Sequence, residues 1–323
     1  MKFEAPGFSN TPMNDDEHLG DSVLRSCPVC QENDGPVWLR KGTLQLVRCR
    51  RCDMIYANPV ESELASGKFY DRLGIPFYLS PDKLQSDYSP VRFERELRLF
   101  RAYVPTGAVL DVGCSTGGFL FQLLTRFPGT YRVTGMDVAS AALDYAGSRG
   151  IEVLQESFLD FDFAERRFDA VTFWAVLEHL TEPKRFLQKA ASIIKPGGHC
   201  LILVPNMNSL AVRLLGAKYR YIFPDHVNYF TPRTLKRFVG AEPKLALVRL
   251  TLTHFNPIVI LNDFRDSRAR VSDTERASLL KRTTAYKQNP LLKPLQWVYR
   301  LMEAGLVKTQ LADNLVAILR RRP

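Results

Sequence analysis

The segment Val109-Leu110-Asp111-Val112-Gly113-Cys114-Ser115-Thr116-Gly117-Gly118 constrains the fold of this chain more than any other. A β-branched run carrying a carboxylate breaks through Gly113, Gly117 and Gly118 and passes into a helical pattern of Phe119, Leu120, Leu123, Leu124 and Phe127. A strand that turns on glycines into a helix opens an α/β unit, and its exposed backbone N–H groups and helix N-terminus make the turn a place where ligands settle. The alternation repeats downstream. Tyr131 to Asp137, Ile151 to Leu154, Asp169 to Phe173 and His199 to Val204 read as strands, with a helix over Arg185 to Ile194 before the Pro196-Gly197-Gly198 turn. Ala246 to Leu252 alternates like a half-buried strand, and Asn314 to Leu319 supplies a closing one. The order predicts a Rossmann-like α/β fold: a mostly parallel seven-stranded sheet, covered by helices and binding its ligand at the carboxyl ends of the strands.

The glycine spacing narrows the ligand. A dinucleotide pocket wants G-x-G-x-x-G, so that backbone approaches a pyrophosphate. Here the pattern is Asp111-x-Gly113-x-x-x-Gly117-Gly118, and a carboxylate just ahead of the first glycine repels phosphate but suits an ammonium. Asp137, at the end of the second strand, can accept hydrogen bonds from both hydroxyls of a ribose. The two acids and the turn fit S-adenosylmethionine, which carries a ribose, an adenine and an amino-acid end but no phosphate.

Ahead of this core lie Cys27, Cys30, Cys49 and Cys52, two C-x2-C pairs separated by 18 residues. Each pair presents two sulfurs to one ion from a tight turn, so the four predict a zinc ribbon. Four thiolates leave no open position for water, which makes the metal structural rather than catalytic. Val37-Trp38-Leu39 and Leu44 to Val47 form the hairpin between the knuckles, around Lys41-Gly42. Arg48, Arg50 and Arg51 cluster at the second knuckle, where they serve either recognition or bracing of a neighbouring domain. The predicted organisation is a loose leader over 1–26, the ribbon over 27–58, a helical linker or cap over 59–104 and the main domain over 105–323. Within that domain, an acceptor lid occupies about 207–245 and a basic helical insertion about 262–308. Tyr70, Tyr78 and Tyr88 of the linker are candidates to cover a pocket or to pack on the next domain.

Taken in order, Val109 to Leu120, Val133 to Asp137, Phe168 to Leu180 and Ile194 to Asn206 resemble the successive motifs of class I S-adenosylmethionine-dependent methyltransferases. With the ribbon and the later stretch Asp225-His226-Val227-Asn228-Tyr229-Phe230-Thr231-Pro232, the chain is similar to bacterial methyltransferases that carry an N-terminal zinc-binding ribbon, often in surface-glycan or natural-product pathways. The resemblance implies that Asp111, Gly113, Cys114, Ser115, Gly117 and Gly118 hold the methionine portion and Asp137 with Val138 the ribose. It implies that Ser157 and Phe158 hold the adenine, with Trp174 beside the cofactor. Related quinone-pathway enzymes carry an extra acid ahead of the Glu-His pair for a metal; Trp174 and Ala175 stand in that neighbourhood here, so the resemblance implies no catalytic magnesium. Gln31 and Asp53 depart from the pattern, because such knuckles often carry glycine there.

Methyl transfer from a sulfonium needs alignment and, for an oxygen or carbon acceptor, a base. Glu178 and His179, just after the fourth strand, and His226, after the fifth, are the catalytic candidates. Histidine suits the task because its unperturbed pKa is about 6.5. A carboxylate at a helix start is the structural alternative for Glu178. The acceptor is expected to be a small molecule or a glycan, including nucleotide-linked or lipid-linked sugars. A second reading is an RNA methyltransferase that uses the ribbon for recognition; a third is a non-catalytic zinc- and cofactor-binding adaptor. Between Arg265 and Arg322, 13 Lys and Arg face 5 Asp and Glu, so this stretch carries most of the net charge of +10 and could meet nucleic acid or a membrane surface peripherally. No apolar run approaches the roughly 18 residues needed to cross a bilayer, and the N-terminus lacks a basic end followed by an apolar stretch. The expected location is therefore the cytoplasm, where Cys114 and Cys200 stay unpaired. The sequence sets no oligomeric state.

Overall fold

The computed structural model describes residues 22–66, 69–70, 77–265, 277–279, 281–282 and 293–323, with the side chains of 65–66 and 293–296 excepted. The leader up to residue 21 and, within the expected 262–308 insertion, residues 266–276, 280 and 283–292 lie outside the described residues.

The N-terminal strands are β1 (Ser22–Val23), β2 (Val37–Lys41), β3 (Leu44–Arg48), β4 (Ile55–Ala57) and β5 (Val60–Glu61). Helices α1 (Ser62–Ser66), α2 (Pro81–Asp87) and α3 (Glu94–Arg101) then lead to β6 (Gly107–Val112), α4 (Gly118–Arg126), β7 (Tyr131–Met136), α5 (Ser140–Ser148), β8 (Glu152–Leu154) and β9 (Phe168–Trp174). Next come α6 (Pro183–Ile193), β10 (Ile194–Pro205), α7 (Leu210–Leu215), β11 (Asn228–Tyr229), α8 (Pro232–Gly240), β12 (Leu245–Thr253), α9 (Pro257–Arg265), α10 (Lys293–Lys308) and β13 (Asn314–Arg321).

The main sheet has seven strands in the order β12-β13-β10-β9-β6-β7-β8. Strands β8, β7, β6, β9 and β10 run parallel, while β13 enters antiparallel between β10 and β12. Val109, Leu110, Val171, Phe173, Leu201 and Ile202 are buried, as expected for strands covered on both faces. Strand β10 starts earlier than the expected His199 and includes the Pro196-Gly197-Gly198 stretch, so the preceding helix stops at Ile193. Its register against β9 is irregular between Ile194 and His199, where Gly197 has φ +80.

A second, four-stranded sheet runs β11-β4-β3-β2. Its first three strands in sequence are the expected hairpin and the strand after the second knuckle, but its edge partner β11 comes from the region expected to act as a lid. Asn228 pairs with Tyr56 and Tyr229 with Ile55. Packing follows the pairing. Leu39, Leu46, Ile55 and Val60 share one apolar cluster with Met207, Val212, Leu215, Ile222 and Tyr229. Cys27, Val47, Cys49, Cys52 and Met54 join the main-sheet cluster that contains Val204, Phe230, Leu235 and Phe238. A metal-sized module with too little core of its own therefore completes its core with the residues around it.

Candidate active site

The cofactor candidates gather at the carboxyl ends of β6 and β7. Gly113 (φ +75), Ser115 (φ +51) and Gly117 (φ +78) all hold left-handed backbone, which costs a side-chain-bearing residue and explains the glycines. The N–H groups of Gly113 and Cys114 both donate to the Met136 carbonyl, at 2.7 and 3.1 Å, tying the turn to the end of β7. Asp111 is buried, and its Oδ1 accepts the Thr172 hydroxyl at 2.6 Å. Burial lifts its carboxyl to about 7, with the Thr172 bond opposing and the Asp137 charge adding to the rise. Asp137 accepts Ser115 N–H at 2.7 Å on Oδ2 and Ala139 N–H at 2.9 Å on Oδ1. Burial raises its pKa, and the Ala139 and Ser115 bonds counter part of that rise. Val138, beside it, is exposed.

Two candidates offer less than expected. The Cys114 thiol is buried in the core, and a Cβ on Gly135 would meet its Sγ at 2.7 Å, so only its backbone remains for a ligand. The Phe158 ring stacks on Phe186 and meets Phe163 and Phe173 edge-on, which commits that face to the core and leaves the backbone of Ser157 and Phe158 for an adenine edge. Trp174 packs on Phe119 at 5.1 Å between ring centroids.

The orphaned polar atoms are informative. Ser115 Oγ, Trp174 Nε1 and both carboxylate oxygens of Glu178 are buried without a hydrogen-bond partner. Such groups are rare unless a ligand or water completes them. All of them follow β6 or end or follow β9, adjacent parallel strands with Asp111 opposite Thr172. The Ser115 hydroxyl, just after β6, and the Trp174 N–H, at the end of β9, fit polar groups of an adenosyl amino acid, whereas the Glu178 oxygens stand with His179 and His226.

Glu178 and His179 lie in a turn after β9 rather than at a helix start, so a helix dipole does not account for the carboxylate. Burial lifts Glu178 to about 8, with the nearby Asp225 charge adding to the rise. His179 Nδ1 lies 2.8 Å from the Asp225 carbonyl and 2.8 Å from Tyr70 Oη. A carbonyl only accepts, so this network puts the proton on Nδ1 and the lone pair on Nε2. The buried His226 ring meets His179 edge-on at 4.7 Å and Phe223 at 4.3 Å. Glu178, His179 and His226 bring their ligand atoms within 4.8 Å of one another, a set whose chemistry is able to pass a proton or to hold a cation. Tyr70, one of the linker tyrosines singled out as a pocket cover or packing residue, and Asp225, at the start of the Asp225-to-Pro232 stretch, reach His179 across 109 and 46 residues.

In the ribbon, Cys27 and Cys52 sulfurs stand 3.4 Å apart, as do those of Cys30 and Cys49, and all four lie within 4.8 Å of one another. Tetrahedral zinc with bonds of about 2.3 Å spaces its sulfurs about 3.8 Å apart, so the four residues fit that ion. Burial pushes the Cys49 thiol to about 11, a cost that a bound cation would reverse. Gln31 (φ +62) and Asp53 (φ +64) do hold the left-handed backbone that glycine would favour. Asp53 is supported by Arg48 at 3.0 Å and Arg233 at 3.3 Å, and Arg50 pairs with Asp34 at 3.0 Å.

Fold and cleft thus define an S-adenosylmethionine-dependent methyltransferase. A family model described as a methyltransferase domain matches residues 88–241. The ubiquinone biosynthesis O-methyltransferase of Serratia proteamaculans is 30% identical over 194 residues, covering 54% of this chain and 79% of that protein. Its counterpart from Alkalilimnicola ehrlichii is 33% identical over 166 residues, covering 46% of this chain and 65% of its own length. Among solved structures, the complex of the Haloferax volcanii Trm112 methyltransferase activator with a putative methyltransferase gives a TM-score of 0.50 at 15% identity, over 79% of this chain and 98% of that one. The chain belongs to the methyltransferase-domain family of S-adenosylmethionine-dependent enzymes.

Proposed function

We propose that this enzyme methylates a hydroxyl oxygen of a small-molecule acceptor, with His179 or His226 receiving the hydroxyl proton. The observation that carries the reading is the position of the Glu178, His179 and His226 group, with Glu178 and His226 buried and His179 half-buried. Glu178 and His179 follow β9, the strand paired with the Asp111-bearing β6, and His226 joins them from the segment before β11. S-adenosylmethionine supplies an electrophilic methyl on a positively charged sulfur. The acceptor oxygen forms the new C–O bond as the S–C bond breaks, the sulfur keeps the bonding pair, and the proton goes to a histidine nitrogen. The His179 tautomer set by the Asp225 carbonyl and Tyr70 leaves Nε2 as the basic atom. Asp111, Asp137, the Gly113–Gly118 turn, Val138, Trp174 and the backbone at Ser157 and Phe158 form the cofactor side. Alignment on such a frame contributes on the order of 7 to 11 kcal/mol to reactions of this kind.

Relatives named for ubiquinone biosynthesis O-methylation support an oxygen acceptor, and phenol and sugar hydroxyls share the chemistry proposed here. The four-cysteine ribbon holds structural zinc in this reading, and six free thiols suit a reducing, cytoplasmic setting. None of the helices among the described residues is long and apolar enough to cross a membrane. RNA binding through the ribbon is the weaker reading, because Arg48 and Arg50 already sit in ion pairs with Asp53 and Asp34.

Methyl-tritiated S-adenosylmethionine, incubated with the enzyme and fractionated extracts, tests the proposal. Label should appear on oxygen of a small acceptor, and His179→Ala with His226→Ala should slow transfer by about 100-fold or more while cofactor affinity stays within about twofold. Label on nitrogen, carbon or RNA, or full activity in the double variant, would overturn it.

A further inference from the structure

Arg25, two residues ahead of the first knuckle, is placed unlike the other arginines of the ribbon. One guanidinium nitrogen donates to Asn228 Oδ1 at 2.6 Å, while Nε and the other terminal nitrogen are buried with no hydrogen-bond partner. The cation lies over the ring of Tyr56 at 5.6 Å, a residue that shares its apolar cluster with Cys27, Cys49 and Cys52. Its backbone N–H donates to Asn58 Oδ1 at 3.1 Å, fixing the approach to the first knuckle against the end of β4.

Asn228 is the other end of the connection. Its Nδ2 donates to the carbonyls of Leu177 and Leu180, at 2.7 and 2.6 Å, so one amide spans the turn that carries Glu178 and His179. The Glu178 carbonyl accepts N–H from both Val227 (2.7 Å) and Asn228 (2.9 Å). Val227 in turn accepts Ala57 N–H from β4 at 2.9 Å, and Asn228 pairs with Tyr56 in the same small sheet. His226 immediately precedes this doubly tied backbone. From Arg25, two residues ahead of Cys27, the hydrogen-bonded path runs through Asn228 to the 177–180 turn on one side and to the backbone next to His226 on the other.

We infer that Arg25 is a positioning residue that couples the four-cysteine cluster to the His179–His226 pair, serving the metal knot as counter-charge and the acceptor side as a strut. The counter-charge half rests on the zinc reading. A divalent ion with four thiolates carries a net charge of about −2, and a buried charge of that sign needs a cation and N–H donors around it. Arg25, two residues ahead of Cys27, has two buried N–H-bearing nitrogens to spare and a third spent on Asn228. Its planar fork can address both at once, which a lysine ammonium does less well. The strut half rests only on the hydrogen bonds. Asp111 and Asp137 lie on the far side of β9 and take no part in the network, so cofactor binding should not sense it.

Full-length, zinc-loaded wild type, Arg25→Met and Asn228→Asp are compared by three measurements: zinc release to a chelator, calorimetry with S-adenosylhomocysteine, and carbon–proton ring signals of the histidines. The ring signals are assigned through single His→Gln variants. Arg25→Met should release zinc about tenfold faster or more, as loss of an outer-sphere partner does. It should also move the ring signals of His179 and His226 while those of His199 and His254 stay in place. Asn228→Asp, which keeps an oxygen for Arg25 but loses the donors to Leu177 and Leu180, should move the same two histidines and leave zinc release unchanged. Cofactor affinity should stay within about twofold throughout, since each replaced bond lies outside that half of the cleft. Unmoved His179 and His226 signals in a folded Arg25→Met would overturn the inference. Should that variant fail to fold, Asn228→Asp decides, and unmoved signals there overturn it equally. Wild type that takes up no zinc would remove the metal reading alone, because the histidine signals report the strut independently.

Discussion

The backbone N–H of Ser115 donates to Asp137 Oδ2 over 2.7 Å, so the acid that ends β7 is also the clasp of the glycine turn that follows β6. Ser115 holds φ +51 there, and its own hydroxyl is buried without a partner. Asp137→Ala thus removes two things at once, a carboxylate for the ribose hydroxyls and an anchor for a strained residue. Affinity for S-adenosylhomocysteine should fall about 100-fold by calorimetry, as expected for charge-assisted hydrogen bonds worth about 3 kcal/mol, and the unfolding free energy should drop by about 1 to 2 kcal/mol. Unchanged affinity would strip Asp137 of the ribose contact, whatever happened to stability.

Asp111 gives a pH signature. Burial holds its carboxyl near 7, with Thr172 opposing and Asp137 adding to the rise, so at pH 6 the group is mostly protonated in the empty cleft. An ammonium placed against it would favour the charged form, and binding would then expel up to about one proton. Calorimetry at pH 6 in buffers of different ionisation enthalpy should show proton release on binding S-adenosylhomocysteine. The release should vanish above about pH 8, in Asp111→Asn, and with 5′-methylthioadenosine, which lacks the amino-acid end. Equal release by both ligands would place the ammonium elsewhere.

The sheet was legible in the sequence because each strand announces itself locally. β-branched runs such as Val109 to Val112 and Ala170 to Phe173 alternate with helical periods, and the glycine turn marks where a ligand sits. The four cysteines were equally open to reading, since metal spacing is a local signal. What sequence could not show is the join between the two. The strand over Asn228 and Tyr229 has only two residues, its partner Tyr56 is far away in the chain, and no periodicity marks so short an element. Arg25 owes its role to that join and surfaces only in three dimensions; Tyr70 and Asp225 lie in stretches the sequence singled out, but their contacts with His179 do not show there. Side-chain direction was hidden for the same reason: Phe158 lies in a motif that suggests adenine, yet its ring faces Phe163, Phe173 and Phe186.

Glu178 should carry a stability cost at high pH. Burial raises its carboxyl to about 8 and Asp225 adds to the rise, whereas an unfolded glutamate titrates near 4.3. Between those values the unfolded chain has released a proton that the folded one retains, so stability falls as pH climbs from about 4.3 to about 8 and the loss is complete above it. Glu178→Gln has no proton to lose. Its melting temperature relative to wild type should therefore rise between pH 5 and pH 9, by an amount corresponding to a few kcal/mol. A flat difference across that range would mean that the carboxylate is solvated or paired in solution.

Gly113 joins the cofactor turn to the acceptor side through Val176. A Cβ at Gly113 would lie 2.6 Å from Val176 Cγ2, and the backbone there has φ +75. Gly113→Ala therefore meets two separate penalties, a left-handed conformation worth about 1 kcal/mol and a clash that Val176 must relieve by moving. Val176 opens the turn that holds Glu178 and His179, and its carbonyl accepts His179 N–H at 2.9 Å, so its displacement is passed toward the histidines. Urea unfolding should show Gly113→Ala destabilised by about 2 to 3 kcal/mol. Adding Val176→Ala should recover the clash but not the backbone strain, leaving about 1 kcal/mol attributable to φ alone and a coupling between the two sites of similar size. Strict additivity would show instead that the turn relaxes away from Val176 without disturbing it, and the cofactor and acceptor halves of the cleft would then move independently at this point.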